Sequence, residues 1–582
     1  MTSLKRSAII LSLLLAACAH APQQVAVEAP QEEAAAPEKD ASAPPAAEQL
    51  KLPRLELSGD MLYEFLLGDV ASQRGKPELA SQIYLDLANE TQDPRVARRA
   101  SQLAFDAHQM DKSIDALTLW LKLEPSSHQA KQLLTTVLVS GGKLEEARPL
   151  LAEMLAAYPN QAGHTFTQIY SLLIRHPDKE AALNLLHELA QPYPRVAEGH
   201  LVQAQLAIAA GKRETAQEEV RRTRVLHPEW ETAAMLEAQL LQQDSPQQAL
   251  ASLENYLAAH PDAGEARLLY ARMLLEQKQL VAARVEFQRL LGMHPESTDL
   301  AFAVAMLSME LGELDRAESE LRLALAKGKK DEDTVYYYLG QLNEAKKHDD
   351  EALKNYRQVQ DGDYVYPARL RVAYLLYKSN KLEDARDYLH QTSAQNNQQR
   401  VQLLLVEAQF LRDAKQVESA YRVLKQGLEK LPNHPDLLYE AAMLADQLAQ
   451  HDIFEQMMRK LIELKPDHAQ AYNALGYSLL DRNERVQEGM KLVEKANLLA
   501  PDDAGIVDSM GWGYYRTGNL DKSLEFLRRA YNVNPDPEIA AHLGEVLWVQ
   551  GGKEQAKKVW DEALKAHPDN AVLQATVKKF IP

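Results

Sequence analysis

Eleven prolines recur along this chain at a nearly constant interval. Pro125, Pro159, Pro194, Pro228, Pro261 and Pro295 are 33 to 35 residues apart, and so are Pro432, Pro466, Pro501, Pro535 and Pro568. The gap from Pro295 to Pro432 is 137 residues, close to four periods, so the phase survives a stretch without this proline. Length alone would suggest about four domains of roughly 150 residues each. A sustained period of this size overrides that expectation, because it marks a repeat architecture in which each unit packs mainly on its neighbours.

The units read as helix pairs. Twelve residues before the prolines stand Ser113, Ala147, Ala182, Ala216, Ala249, Ala283, Ala420, Phe454, Gly489, Ser523 and Ala556, all small except Phe454. A glycine often stands five residues earlier still, as at Gly142, Gly211, Gly312, Gly518 and Gly551. Residues 537–570, "PEIAAHLGEVLWVQGGKEQAKKVWDEALKAHPDN", show the plan most clearly. Ile539, Leu543, Val546 and Leu547 recur at helical spacing, and Gly551-Gly552 ends that helix and turns the chain. Ala556, Val559, Trp560, Ala563 and Leu564 line a second helix, and Pro568 follows its end, where a missing N–H costs least. The small residues Gly544 and Ala556 allow the two helices to approach closely.

This pattern resembles the tetratricopeptide repeat, whose period is about 34 residues. The resemblance covers about residues 58–568. It implies an all-α solenoid: a right-handed superhelix of antiparallel helix pairs, about fifteen repeats long, spanning residues 53–582. The first repeat lies near Met61 to Pro94, with Gly68, Gly75, Ala80 and Tyr84 in phase. The closing stretch from Ala571 to Ile581 reads as a capping helix, since such arrays need an end that hides apolar surface.

The N-terminus has a different character. Lys5 and Arg6 precede ten mostly apolar residues, 8–17, too few to span a hydrocarbon layer that takes about 20 residues. Leu15-Ala16-Ala17-Cys18 resembles the bacterial lipobox, which implies a signal peptide over residues 1–17 and acylation of Cys18, the only cysteine in the chain. Residues 18–52 then read as a lipidated cysteine and a disordered Ala/Pro-rich tether with no aromatic residue to bury. Ala19 is not the aspartate associated with inner-membrane retention, so the expected location is the outer membrane, facing the periplasm.

Chemistry is sparse. With one cysteine, disulfides within the chain and zinc sites built from two or more thiolates are excluded. The formal charge is −18, and loss of Lys5 and Arg6 with the signal makes it −20, which disfavours nucleic acid as a partner. His187-Glu188-Leu-Ala-Gln191 lacks the second histidine of a zinc-protease helix. No G-x-S-x-G elbow is present, and "GWGYYR" at residues 511–516 has Arg516 where a dinucleotide fingerprint needs its third glycine. His176, His227, His260, His294, His434 and His567 each precede a proline. Most fall at the end of a second helix, where an imidazolium suits the negative end of the dipole, so they read as caps and not as metal ligands. No cofactor or metal is expected, and no catalytic residue is assigned.

In tetratricopeptide arrays the first helices line a concave groove through their fifth, ninth and twelfth positions. With the small residue set at position eight, these positions include Tyr337, Tyr374, Tyr377, Tyr439, Tyr477, Trp512, Tyr515 and Trp548. Tyr and Trp supply large contact area at low entropy cost, so the eight rings are candidates for partner binding. The competing reading is packing between neighbouring repeats, which fits Tyr514 at position eleven. The Lys-Asn set with which chaperone-binding members of the family grip a terminal carboxylate is missing.

The C-terminal strings "AYNALGYSLLDR", "DDAGIVDSMGWGYYRTGNLDKSLEFLRRAY" and "DPEIAAHLGEVLWVQGGKEQAKKVW" resemble a family of proteobacterial outer-membrane tetratricopeptide lipoproteins. Its characterised member is the binding partner of a periplasmic carboxyl-terminal processing protease. The resemblance implies a non-catalytic adaptor that recruits and activates that serine protease and presents substrates such as peptidoglycan hydrolases. The alternative is an assembly factor for a pilus, secretion or exopolysaccharide system. Short pilus-assembly lipoproteins have far fewer repeats than this chain.

Overall fold

The computed structural model describes residues 52–581. The export segment, Cys18 and the tether as far as residue 51 lie outside the described residues. Among the described residues there are thirty-one α-helices, one short 3-10 turn and no strand. The helices form fifteen successive pairs, from Gly59–Gln73 with Pro77–Thr91 to Pro537–Val549 with Lys553–Ala566, and one closing helix, Ala571–Phe580. The expected all-α repeat solenoid is therefore present. Backbone packing divides the chain after Lys330, so residues 52–330 form a unit of eight pairs, and residues 331–581 a unit of seven pairs with the closing helix. None of the helices among the described residues is long and apolar enough to cross a membrane.

The turn inside each pair explains the in-phase glycines. After His128–Ser140, Gly142 takes φ +76°, and the next N–H, of Lys143, reaches back to the Leu138 carbonyl at 2.9 Å. That 6→1 bond is the Schellman closure, which satisfies an orphan carbonyl and needs a left-handed residue. The same bond recurs from Asn519 to Tyr514 and from Gly552 to Leu547. Other repeats force an L residue into the same conformation, among them Lys347, Asn380 and Ala449 at φ +61°, +59° and +58°. Such a residue costs about 1–2 kcal/mol, least for Asn. Ala449→Gly is therefore expected to stabilise its repeat by about 1 kcal/mol, after glycine's greater freedom in the unfolded chain is subtracted. Slower amide exchange in Pro435–Gln447 and His451–Leu464 is the readout, and unchanged exchange would refute the strain argument.

Packing between paired helices follows the small-residue positions. A Cβ added at Gly544 would stand 2.0 Å from Nε1 of Trp560, so the indole lies directly on the glycine backbone. At Gly476 an added Cβ would meet the carbonyl oxygen of Gly489 at 2.9 Å, so there the two backbones themselves touch. Phe454, the one large residue in the small-residue series, is compensated on the opposite helix. It is buried in one cluster with Ala441, Ala442 and Ala445. In the first unit a single cluster links Leu87, Trp120, Leu151, Phe166 and Leu206 across five successive pairs. In the second unit the buried apolar residues form several successive clusters instead, among them one around Tyr356 and Leu389, one around Phe454 and one around Trp560.

Candidate functional site

Six repeat-opening helices of the second unit carry the eight candidate rings, and the structure separates them into two groups. Tyr337, Tyr374, Tyr377 and Tyr439 lie on Glu332–Ala345, Val365–Lys378 and Pro435–Gln447. Two cavities open among these helices and the intervening Asn397–Asp413. One, of about 480 Å³, is walled by Tyr337, Leu370, Tyr374, Leu405 and Phe410. The other, of about 330 Å³, is walled by Leu405, Leu424, Tyr439, Leu444 and His468. Leu405 and Gln409 belong to both and form the partition.

Ring contacts fix this surface. Tyr337 stacks on Tyr364 with centroids 4.5 Å apart, and Tyr377 lies flat on Phe410 at 4.4 Å. Tyr374 is 40% exposed, with the Arg371 guanidinium 4.6 Å above its ring. Arg371 is itself clamped by Glu344, whose carboxylate accepts from Nε at 2.9 Å and raises the arginine's pKa. Burial also pushes the Tyr337 and Tyr439 phenols above their usual range, so both remain neutral donors at physiological pH. Arg412 is paired with Glu440 at 3.2 Å. The larger cavity is thus mainly apolar and ring-lined, with Arg371 paired to Glu344, whereas the smaller also carries Gln409, Arg412, Asp436 and Glu440 on its wall.

Three residues of this surface, Leu405, Gln409 and Arg412, escaped the search for aromatics. They occupy the fifth, ninth and twelfth positions of a repeat that has no ring there, counted from Ala408 at position eight. The register alone would have found them.

The second group, Tyr477, Trp512, Tyr515 and Trp548, is engaged within the protein. His542 is the hub. Its Nδ1 is 2.9 Å from Oδ2 of Asp508, its Nε2 is 3.2 Å from Oη of Tyr477, and its ring stacks on Trp512 at 4.2 Å. These contacts join the last three repeats. Trp512 is only 4% exposed, so the expectation that it lines an open groove is corrected: a histidine from the next repeat covers it. Tyr515 donates to Glu545 at 3.2 Å, and Lys579 of the closing helix takes the same carboxylate oxygen at 3.0 Å. Trp548 packs on Trp560 and on Phe580 of the closing helix, with centroids 5.8 and 6.1 Å away, so in this structure it serves the end cap. Tyr514 packs on Phe526 at 5.4 Å, which agrees with a packing role.

Proton linkage at this hub has a definite sign. Burial opposes charge on His542, but Asp508 outweighs it and the imidazole titrates above its ordinary 6.5. Glu538, one turn earlier, is raised by burial and by Asp536. A folded-state value above the unfolded one contributes stability at low pH that is lost as pH climbs through the folded value. The Glu538 share is therefore lost first, above about 4.5, and the His542 share above about 6.5. Amide protection of Ala504–Arg516 and Pro537–Val549, corrected for intrinsic exchange, is expected to fall across that range. His542→Gln should remove the upper part of the decline; an unaltered profile would place its origin elsewhere.

Histidines before prolines sort mostly as expected. His227, His260, His294 and His567 are the C-cap residues of second helices. His434 instead precedes the first turn of Pro435–Gln447, and His176 is buried in a turn, its Nδ1 within 2.8 Å of the Asp178 carbonyl oxygen. Among the described residues no set of three or more His, Cys, Asp or Glu side chains is arranged to hold a metal ion.

Family models described as tetratricopeptide repeat match residues 239–298, 274–342 and 435–468. The chain is 32% identical over 492 residues to the TPR repeat-containing protein PA4667 of Pseudomonas aeruginosa, covering 84% of this chain and 82% of that one. It belongs to the tetratricopeptide-repeat proteins. Shorter matches link this repeat protein to subunit TOM70 of the rat mitochondrial import receptor, 26% identical over 133 residues and 22% of each chain. Among solved structures it is similar to the Cut9-Hcn1 tetramer component, with TM-score 0.32, 14% identity, and coverage of 90% of this chain and 97% of that one. It is also similar to TTC0263, a thermophilic TPR protein of Thermus thermophilus, with TM-score 0.29, 21% identity, and coverage of 31% and 97%. A tetratricopeptide-repeat array is a scaffold for protein–protein interaction.

Proposed function

We propose that this chain is a lipid-anchored, non-catalytic adaptor that binds a periplasmic carboxyl-terminal processing protease, activates it and presents protein substrates, peptidoglycan hydrolases among them. The observation that carries the docking role is the ring-lined surface of Tyr337, Tyr374, Leu405 and Tyr439, which opens two cavities between successive repeats. The lipobox-like Leu15-Ala16-Ala17-Cys18 supports acylation and an outer-membrane location facing the periplasm. More than one acyl chain gives stable anchoring, at about 0.8 kcal/mol per buried methylene. The resemblance of the C-terminal repeats to the adaptor lipoproteins supports the choice of partner.

Physically, an adaptor needs no catalytic group. Holding protease and substrate on one tethered scaffold turns their encounter into a local event at high effective concentration. Capture from envelope extract by the mature chain with Cys18→Ser, read by mass spectrometry, tests the assignment. A carboxyl-terminal processing protease enriched by the wild-type groove and lost with Tyr374→Ala/Tyr439→Ala is the expected result. Capture of a pilus, secretin or polysaccharide-export component in its place would support the assembly-factor alternative and refute the protease assignment.

A further inference from the structure

The first helix of the array, Gly59–Gln73, has an apolar face that no neighbour covers among the described residues. Tyr63, Leu67 and Val70 are 36 to 65% exposed. The residues 33 positions later, Val96, Ala100 and Leu103, are at most 9% exposed, where Pro94–Asp106 packs against the preceding helix Pro77–Thr91. The open face is therefore the surface on which one repeat ordinarily stacks on another. Leu62 and Leu66 widen the exposed stripe, and Leu55 and Leu57 just before the helix are exposed as well. A contiguous apolar patch of this kind marks an interaction site, and a repeat array needs its ends covered.

Charge selects what covers it. At about 100° per residue, Asp60 and Arg74 fall on the same edge of the stripe, about 21 Å apart along the helix, and both are exposed. An antiparallel two-fold pair sets each edge against the same edge of its twin with the direction reversed, so Asp60 of each copy meets Arg74 of the other. A parallel pair would set Asp60 level with Asp60 and Arg74 level with Arg74. At the far end of the array Ala571–Phe580 already packs over Trp560, so a head-to-tail stack finds no second open face. A membrane surface suits the helix poorly, since it carries Asp60, Glu64 and Asp69 and no Lys or Arg. Residues 19–50 carry six carboxylates against one lysine and would bring like charge to those acids. From this we infer that two copies of the chain associate through Gly59–Gln73, paired antiparallel about a two-fold axis, with Leu66 and Leu67 at its centre and Asp60 of each copy against Arg74 of the other. This association is separate from the groove of the second unit and from its partner.

Sedimentation velocity of the mature chain with Cys18→Ser tests it. The wild type should approach twice the monomer mass as concentration rises. Leu66→Glu, at an already exposed position and checked for native circular dichroism, should weaken association at least ten-fold. Asp60→Arg and Arg74→Asp should each weaken it too, and the double variant Asp60→Arg/Arg74→Asp should restore it, because the pair re-forms with its signs exchanged. A monomer at every concentration would overturn the inference, and flotation of that monomer with phospholipid vesicles would give the face to a membrane. A dimer indifferent to Leu66→Glu would place the interface elsewhere and overturn it as well. A dimer that Leu66→Glu disrupts but the exchanged pair does not restore would refute the antiparallel arrangement.

Discussion

Trp560→Ala is expected to cost about 3–5 kcal/mol, concentrated in the last repeat and the closing helix. The indole is fully buried, rests on the bare backbone of Gly544, and packs against Trp548 and Phe580 with centroids 5.8 Å away in each case. Gly544, which faces the indole, has no side chain to fill the space it leaves. The cavity would also free the closing helix, which hides the apolar end of the array. In a repeat protein the loss is local and not shared by the whole chain. Amide exchange in Lys553–Ala566 and Ala571–Phe580 should therefore rise steeply while Pro435–Gln447 is unaffected. A uniform or negligible change would contradict the local packing described here.

Glu286→Ala should be comparably severe in the first unit, about 3–5 kcal/mol, for an electrostatic reason. Arg267 is 4% exposed, pairs with Glu286 through Nη1 and donates through Nη2 to the Pro261 carbonyl at 2.7 Å. Arg289 holds the other oxygen of Glu286 at 2.6 Å. Removing the carboxylate leaves a buried guanidinium without a counter-ion. Replacing both partners, Arg267→Met with Glu286→Leu, should instead be close to neutral, because the desolvation penalty is removed along with the attraction. Urea unfolding followed by amide exchange in Gly264–Glu276 and Leu280–Met293 separates the two outcomes. A double variant as unstable as Glu286→Ala would show that packing, and not charge, governs this site.

The same construction appears two repeats earlier. His200, Glu219, Arg222 and Pro194 stand 67 residues before Arg267, Glu286, Arg289 and Pro261, with His200 Nδ1 2.6 Å from Glu219 and its Nε2 3.1 Å from the Pro194 carbonyl oxygen. Glu219 holds the His200 imidazole above its ordinary pKa. Neither network was legible in the sequence, because a charged residue at a helical period looks the same whether it faces solvent or a neighbour.

The fold was legible because proline, glycine and small residues each report a backbone constraint that repeats. Pro568 marks a helix end, Gly551 a left-handed turn, and Gly544 a close approach, whatever the rest of the chain does. The groove was legible by half. Position within the repeat led to Tyr337, Tyr374 and Tyr439, which wall the cavities, but a reading confined to rings passed over Leu405, Gln409 and Arg412. It also could not foresee that Trp512 is covered, since the covering residue, His542, comes from the following repeat and stands at no groove position. Aromatic side chains serve both docking and inter-repeat packing, and only the tertiary neighbours tell the two apart.

The central claim, an adaptor that works through this groove, is tested most directly by the cleavage rate of a purified carboxyl-terminal processing protease on a protein substrate. Adding the mature chain with Cys18→Ser should raise the rate, the chain alone should cleave nothing, and Tyr374→Ala/Tyr439→Ala should abolish most of the increase. No acceleration by the wild-type chain, or cleavage by that chain in the absence of protease, would contradict the account.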